Sequence, residues 1–343
     1  MPVRTEIARK AEKLLGLLQG KSTMLIVMQD YPDPDAIAAA AGLRELANAR
    51  AGIQCSIAHG GIVGRAENRE LVKYLGLNLR TFDDLEVGRF DLVALVDTQP
   101  RSGNNALDPA VTPQIVIDHH PIRHATRSAA FTDVRGKYGA TATIIYEYLR
   151  HCAVEIPPPL ATALLYGIRS DTQELGRVAT QADIDAVLQL YPLANTRMLR
   201  DILRGRVPPA YFRMLMRGIA NATQYGEAIL SNLGDVDNPD MIGEVADMLL
   251  RAENSSWVLC YGAYAGRILL SLRTSDTEAR ADRIMHKIIG RKGTGGGHNT
   301  MAGGQIPIGD ATPRERRQTE TTILRRFLRR TGVRDQEPRG LAD

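Results

Sequence analysis

The chain has 343 residues, 44% of them hydrophobic and 24% charged, the balance of a globular protein too long for one ordinary core. Forty-three basic against 39 acidic residues leave a net charge of +4, which permits an anionic ligand without requiring one. Cys55, Cys152 and Cys260 lie far apart, which argues against a disulfide framework and for a reducing compartment. The charged N-terminal stretch MPVRTEIARKAEKLLGLLQGK has no signal-peptide apolar core, and no run approaches the ~18 apolar residues of a membrane span, so a cytoplasmic protein without membrane contact is expected.

In chain order, helical spacing predicts a helix over Thr5 to Leu18, then a strand over 22–29. The turn YPDPD follows, and Ala36 to Arg50 reads as an alanine-rich helix, with Asp33 and Asp35 beside its N-terminus, where negative charge is favoured. A strand at Ile53 to Ala58, a helix from Asn68 to Leu75 and strands at 90–97 and 114–118 continue a β-α repeat, the local order of a doubly wound parallel sheet. Helices are predicted at Lys137 to Arg150, Pro159 to Ile168, Thr180 to Leu190 and Met198 to Thr223, the last broken near Gly205 and by Pro208 and Pro209. Strands at Glu227 to Leu233, Ser256 to Tyr261 and Arg267 to Arg273, with helices at 239–251, 278–289 and 313–329, make a second, smaller α+β domain. The expected division is 1–190, a helical linker at 191–214, a domain at 215–330 and a frayed polar tail at 331–343.

The chemistry concentrates where apolar strands end. MLIVMQDYPDPD ends in Asp33 and Asp35, DLVALVD in Asp97, and IVIDHHP in Asp118, His119 and His120. In an open α/β sheet the carboxyl ends of the strands are where ligands bind. Carboxylate oxygen suits hard divalent cations, and imidazole widens the choice to manganese, iron, cobalt or zinc. Two such ions about 3.5 to 4 Å apart can share a bridging carboxylate and drive an in-line displacement at phosphorus; Asp97, on a central strand, is the natural bridge. Taken singly, Asp33 and Asp35 could be turn formers, Asp97 a strand-end cap and Asp171, in GIRSDTQ, a helix cap. Consecutive aspartate and histidines beside an apolar strand are costly unless liganded or paired, which favours the metal reading. A second stretch, RKGTGGGHNTMAGG at 291–304, holds six glycines in fourteen residues, so that backbone N–H groups can approach an anion, with His298, Asn299, Thr300, Arg291 and Lys292 as side-chain donors. It lacks the ending of a P-loop. His59, His124, His151 and His286 show no partner pattern.

The order DxD, a lone strand-end aspartate, DHH, a later aspartate and GGGH resembles the DHH phosphoesterases with an attached DHHA1 domain, over about residues 20–325. That resemblance implies a DHH catalytic domain, a DHHA1 substrate-binding domain and an active-site cleft between them. It implies two divalent cations, Mn2+ foremost, with Mg2+, Co2+, Fe2+ or Zn2+ as substitutes. Asp33 would hold one ion, Asp35, Asp171 and His119 the other, and Asp97 both; Asp118 would support His119, and His120 would orient the phosphate or the ligands. Arg273, Arg291, Gly295, Gly296, Gly297, His298 and Asn299 would bind the nucleotide. One position departs from the family: where a histidine usually precedes DxD by four residues, this chain has Gln29, whose amide oxygen is a weaker ligand than imidazole. The resemblance implies a compact nano-RNase that cleaves short RNA or DNA oligonucleotides or linear dinucleotides, with a homodimer as a further expectation. The rival readings are a 3'-phosphoadenosine 5'-phosphate phosphatase, a cyclic-dinucleotide phosphodiesterase, a manganese pyrophosphatase and a nucleotide sensor slowed by Gln29.

Overall fold

Strand β1 (Thr23–Val27) shows how the first part of the chain is built. Met24 and Ile26 belong to one apolar cluster, Leu25 and Val27 to another, so the strand is buried on both faces as a central parallel strand must be. The computed structural model describes residues 3–82, 85–176, 178–333 and 336–342. It divides into two units, Met1–Arg206 and Val207–Asp343.

In the first unit β2 (Gln54–His59), β3 (Leu79–Thr81), β4 (Leu92–Val96), β5 (Ile115–Asp118) and β6 (Phe131–Val134) join β1 in an all-parallel sheet of order β3-β2-β1-β4-β5-β6. The order reverses between β1 and β4, the switch point at which such sheets open a crevice. One face carries helices α1 (Val3–Leu18), α2 (Pro34–Ala51), α3 (Ala66–Tyr74), α4 (Thr141–His151), α5 (Pro158–Asp171), α6 (Gln181–Leu190) and α7 (Thr196–Leu203). The other face, around Leu25, Val27, Leu95 and Val116, is closed by irregular segments that contribute Phe82, Phe90, Leu107 and Val111. The expectation of an α/β unit built on a parallel sheet is met; the crossovers after β4 and β5 are loops and short 3-10 turns, so the helices gather on one face.

Helix α2 is the centre of the helical layer, and its small residues set the spacing. Every residue from Pro34 to Leu43 is buried. Gly167 of α5 lies so close that an added Cβ would meet the Pro34 carbonyl oxygen at 3.0 Å and the Asp35 Cα at 3.1 Å. Asp171, four residues on, closes α5, so the same close approach carries it towards the end of β1.

The second unit is α+β, as expected. It contains α8 (Pro209–Ala220), β7 (Thr223–Tyr225), β8 (Ala228–Asp235), α9 (Asp240–Leu249), β9 (Trp257–Tyr264), β10 (Arg267–Thr274), α10 (Ala281–Ile289), β11 (Thr294–Gly297), β12 (Met301–Pro307), α11 (Pro313–Thr331) and β13 (Pro338–Gly340). Its seven-stranded sheet runs β11-β12-β10-β9-β8-β7-β13, with only β8 and β9 parallel. Helices α10 and α11 bury Met285 and Phe327 with one cluster, and α8 and α9 bury Met214 and Val245 with the other. The carboxy-terminal residues differ from the frayed tail expected: Pro338–Gly340 pair with β7, and Leu341 N donates to Ala222 O. Of that expected tail, Arg334, Asp335 and Asp343 lie outside the described residues.

Two glycine substitutions separate close packing from helix propensity. Gly167→Val drives a branched side chain into the Pro34 and Asp35 backbone and should lower unfolding stability by about 1–3 kcal/mol. Gly16→Ala, at an exposed α1 position where a Cβ meets nothing within 4 Å, should raise it by about 0.5–1 kcal/mol in the same urea titration.

Candidate metal centre

The site forms at the carboxyl ends of β1, β4 and β5. Asp33 caps α2: its Oδ1 accepts from Ala36 N at 2.9 Å. Asp35 follows within the first turn, buried, and its two oxygens accept from Thr141 N and Ala142 N, each at 2.7 Å. These are the leading amides of α4, so a helix N-terminus grips the carboxylate with dipole and hydrogen bonds together. Asp97, the residue after β4, has φ 58°, a left-handed conformation that aspartate tolerates better than most residues. Its N donates to Ile117 O at 3.0 Å and its Oδ1 accepts from Thr141 Oγ1 at 2.9 Å, so the strained residue is held from both sides.

The two histidines after β5 face different partners. His119 is buried, with Nδ1 3.2 Å from the Tyr138 carbonyl oxygen. A carbonyl only accepts, so Nδ1 carries the proton and Nε2 presents its lone pair. That Nε2 lies 3.1 Å from Asp171 Oδ2 and 3.6 Å from Asp97 Oδ1. His120 Nδ1 instead pairs with Asp118 Oδ1 at 2.8 Å. Asp118 thus holds His120 rather than the His119 that the family resemblance implied, and a backbone carbonyl holds His119. Asp118 is itself fixed by Gln99, whose Nε2 donates to Asp118 Oδ2 at 2.5 Å while its Oε1 accepts from Arg123 N and Thr126 Oγ1, each at 2.7 Å.

Burial and mutual repulsion decide the electrostatics. Desolvation, then the neighbouring carboxylates, pushes Asp33 and Asp97 up from the ordinary carboxylate range and Asp35 up to about 8. Burial alone would lower His119, but Asp171, Asp97 and Asp35 together hold it above its ordinary value. Asp118 goes the other way, because the charge and hydrogen bond of His120 outweigh its burial. A lone pair and several carboxylates facing one another need a proton or a cation among them. Asp35, Asp97 and His119 each offer a ligand atom within 4.8 Å of the others, close enough for small adjustments to bring all three onto one cation. Asp97, Asp118 and His120 also cluster, but both Asp118 oxygens already accept hydrogen bonds. The residues therefore fit a divalent cation, centred on Asp35, Asp97, His119 and Asp171.

Residues 24–168 match the DHH family, N-terminal domain, and residues 226–318 match the DHHA1 domain. The chain belongs to the DHH family. An uncharacterized protein of Methanocaldococcus jannaschii is 32% identical over 323 residues, which is 92% of this chain and 66% of that protein, so the chain spans just under two thirds of that relative's length. Among solved structures, an exopolyphosphatase-related protein from Bacteroides fragilis aligns with TM-score 0.72 over 94% of this chain and 97% of its own, at 14% identity, which is a likeness of fold.

In the DHHA1 unit the glycine-rich stretch is an edge hairpin in which β11 pairs with β12 and Gly295 faces Gly304. Several of its glycines serve packing: a Cβ on Gly304 would meet Met285 Sδ at 2.6 Å, and Gly297 has φ 150°. Gly296 faces open space. The following turn caps α10, with Ala281 N donating to Asn299 O at 2.9 Å and Asp282 N to His298 O at 3.3 Å. Arg291 is exposed in a 3-10 turn. Arg273 is already engaged: Nε pairs with Asp247 of α9, and its Nη1 donates to Ser271 Oγ at 2.8 Å.

Three contributors in the DHH unit were missed in the sequence: Gln99, Thr141 and the Tyr138 carbonyl. Thr141 stands one residue inside a helix start, which marks a turn but not the carboxylate 106 positions away that it binds.

Carboxylates raised in the folded state bind protons that the unfolded chain has released, so their contribution is full below the unfolded value and is lost as pH rises through the folded one. His119, also raised, acts in the same sense, while lowered Asp118 acts only below the ordinary carboxylate range. The chelator-treated protein should therefore lose thermal stability from about pH 5 to pH 8, Mn2+ should reverse the loss, and Asp35→Asn should flatten the slope. Thermal unfolding across that range checks it; a stability that rises with pH would contradict the electrostatics described.

Proposed function

We propose that this DHH protein is a divalent-cation-dependent phosphoesterase that hydrolyses short oligonucleotides or linear dinucleotides to mononucleotides, with Mn2+ as the preferred ion. One observation carries the reading: buried Asp35, Asp97 and His119, delivered by the ends of three adjacent parallel strands, converge with half-buried Asp171 in a set of oxygen and imidazole donors. A bound cation there supplies Lewis-acid stabilisation of phosphoryl oxygens and an activated water.

The protein's own groups do the positioning. Thr141 and Ala142 fix Asp35, and Thr141 Oγ1 fixes Asp97, so neither carboxylate reorganises when charge develops. Tyr138 selects the His119 tautomer with Nε2 available as ligand. Gln99 holds Asp118 and Asp118 holds His120 by Nδ1, which fixes the ring that would orient a phosphate oxygen or the leaving group. In the DHHA1 unit, His298, Asn299 and Arg291, with Gly295, Gly296 and Gly297 baring the backbone, offer donors to a nucleotide. Arg273 would have to share its guanidinium between Asp247 and a substrate phosphate.

The test is turnover with Mn2+ of pGpG, pApA, a five-residue RNA, cyclic-di-AMP and 3'-phosphoadenosine 5'-phosphate. Cleavage of the linear short substrates is expected, falling by at least about 10²–10³-fold in Asp97→Ala. Fastest release of phosphate from 3'-phosphoadenosine 5'-phosphate would make the protein a monoesterase, and no turnover of any would leave a nucleotide-binding protein. Gln99→Leu, which touches no cation ligand, should lower activity about 10–100-fold by releasing Asp118 and His120; unchanged activity would remove Gln99 from the site.

A further inference from the structure

Gln29 sits where β1 gives way to the YPDPD turn, and its amide enters the carboxylate cluster. Nε2 lies 2.9 Å from Asp33 Oδ2 and 3.5 Å from Asp97 Oδ2. The other oxygen of each acid is taken, Asp33 Oδ1 by Ala36 N and Asp97 Oδ1 by Thr141 Oγ1. The two oxygens that face Gln29 are thus the pair a cation between Asp33 and Asp97 would use, and one NH2 group with two hydrogens meets both.

We infer that the Gln29 amide takes the place of one cation, so that this chain holds a single tightly bound divalent ion, among Asp35, Asp97, His119 and Asp171. Asp33 and Asp97 repel each other across a buried gap unless something positive or hydrogen-donating lies between them. An imidazole whose lone pair faced that gap would add a third acceptor and so require a cation. A carboxamide supplies the donor itself and removes the requirement. A cation entering there must break the Asp33 hydrogen bond and turn the amide, and gains in return only a neutral carbonyl ligand. Neighbouring Asp30 does not make up the deficit: its carboxylate lies against Gly60, where an added Cβ would collide with it, and its N donates to Asn104 O at 2.7 Å. The other half of the cluster, where His119 Nε2 faces Asp171 Oδ2 at 3.1 Å and Asp97 Oδ1 at 3.6 Å, keeps its demand for an ion.

The inference rests on the divalent-cation reading of the site, and metal stoichiometry tests the two separately. Metal-free protein is loaded with Mn2+, desalted, and assayed for manganese per chain and by electron paramagnetic resonance. Wild type should retain one ion with an uncoupled spectrum; Gln29→His should retain two with an exchange-coupled spectrum. Without metal, Gln29→His should melt about 2–4 °C lower than wild type for each kcal/mol of lost hydrogen bonding, and Gln29→Leu should show the same loss while still holding one ion. Two coupled ions in wild type, or one in Gln29→His, would overturn the inference and leave the metal centre standing. No retained manganese in either protein would overturn both.

Discussion

The carboxylate of Asp35, gripped through both oxygens by the first amides of α4, is the contact on which the first unit's site depends. It ties the end of β1 to a helix more than a hundred residues away and leaves Thr141 placed to hold Asp97 with its hydroxyl. A buried anion is costly on its own, and a helix N-terminus is among the few neutral structures that can receive it. The electrostatic demand that remains, raised Asp35 and Asp97 beside His119 and Asp171, is met by a proton or a cation.

The fold serves that arrangement through small residues. Helix α2 is alanine-rich because α5 and α4 must lie close against it: Gly167 meets the Pro34–Asp35 backbone, and Gly42 meets Ile145 at a distance that admits no Cβ. Larger residues would push Asp171 and the DxD turn apart. Beyond the donor set, Gln99 satisfies all of its polar capacity in joining Asp118 to the loop after β5, so His120 is oriented by a rigid support rather than by solvent. In the DHHA1 unit glycine plays both parts, close packing at Gly304 and an open backbone at Gly296.

Much of this was legible in the chain. The apolar runs ending in Asp33, Asp97 and Asp118 identified three central strands and the edge where chemistry gathers, because buried parallel strands read as continuous hydrophobic runs. The short strands Leu79–Thr81, Phe131–Val134 and Thr223–Tyr225 escaped, being too brief for any period to register. The glycine-rich hairpin escaped because glycine lacks the side chain that marks a strand, and its strand identity comes from pairing with β12 and β10.

The sequence by itself determined which ionisable and amide groups stand after the apolar strands: DxD, Asp97, DHH and Gln29 are local facts, written in residue type and position. Only the tertiary structure decided their roles. Which histidine nitrogen faces the acids is set by the Tyr138 carbonyl, and which acid supports which histidine is set by Gln99. Whether Gln29 acts as ligand or donor is set by the two carboxylate oxygens it meets. These are contacts between residues distant in the chain or directed by backbone groups that every residue shares, so no local pattern encodes them.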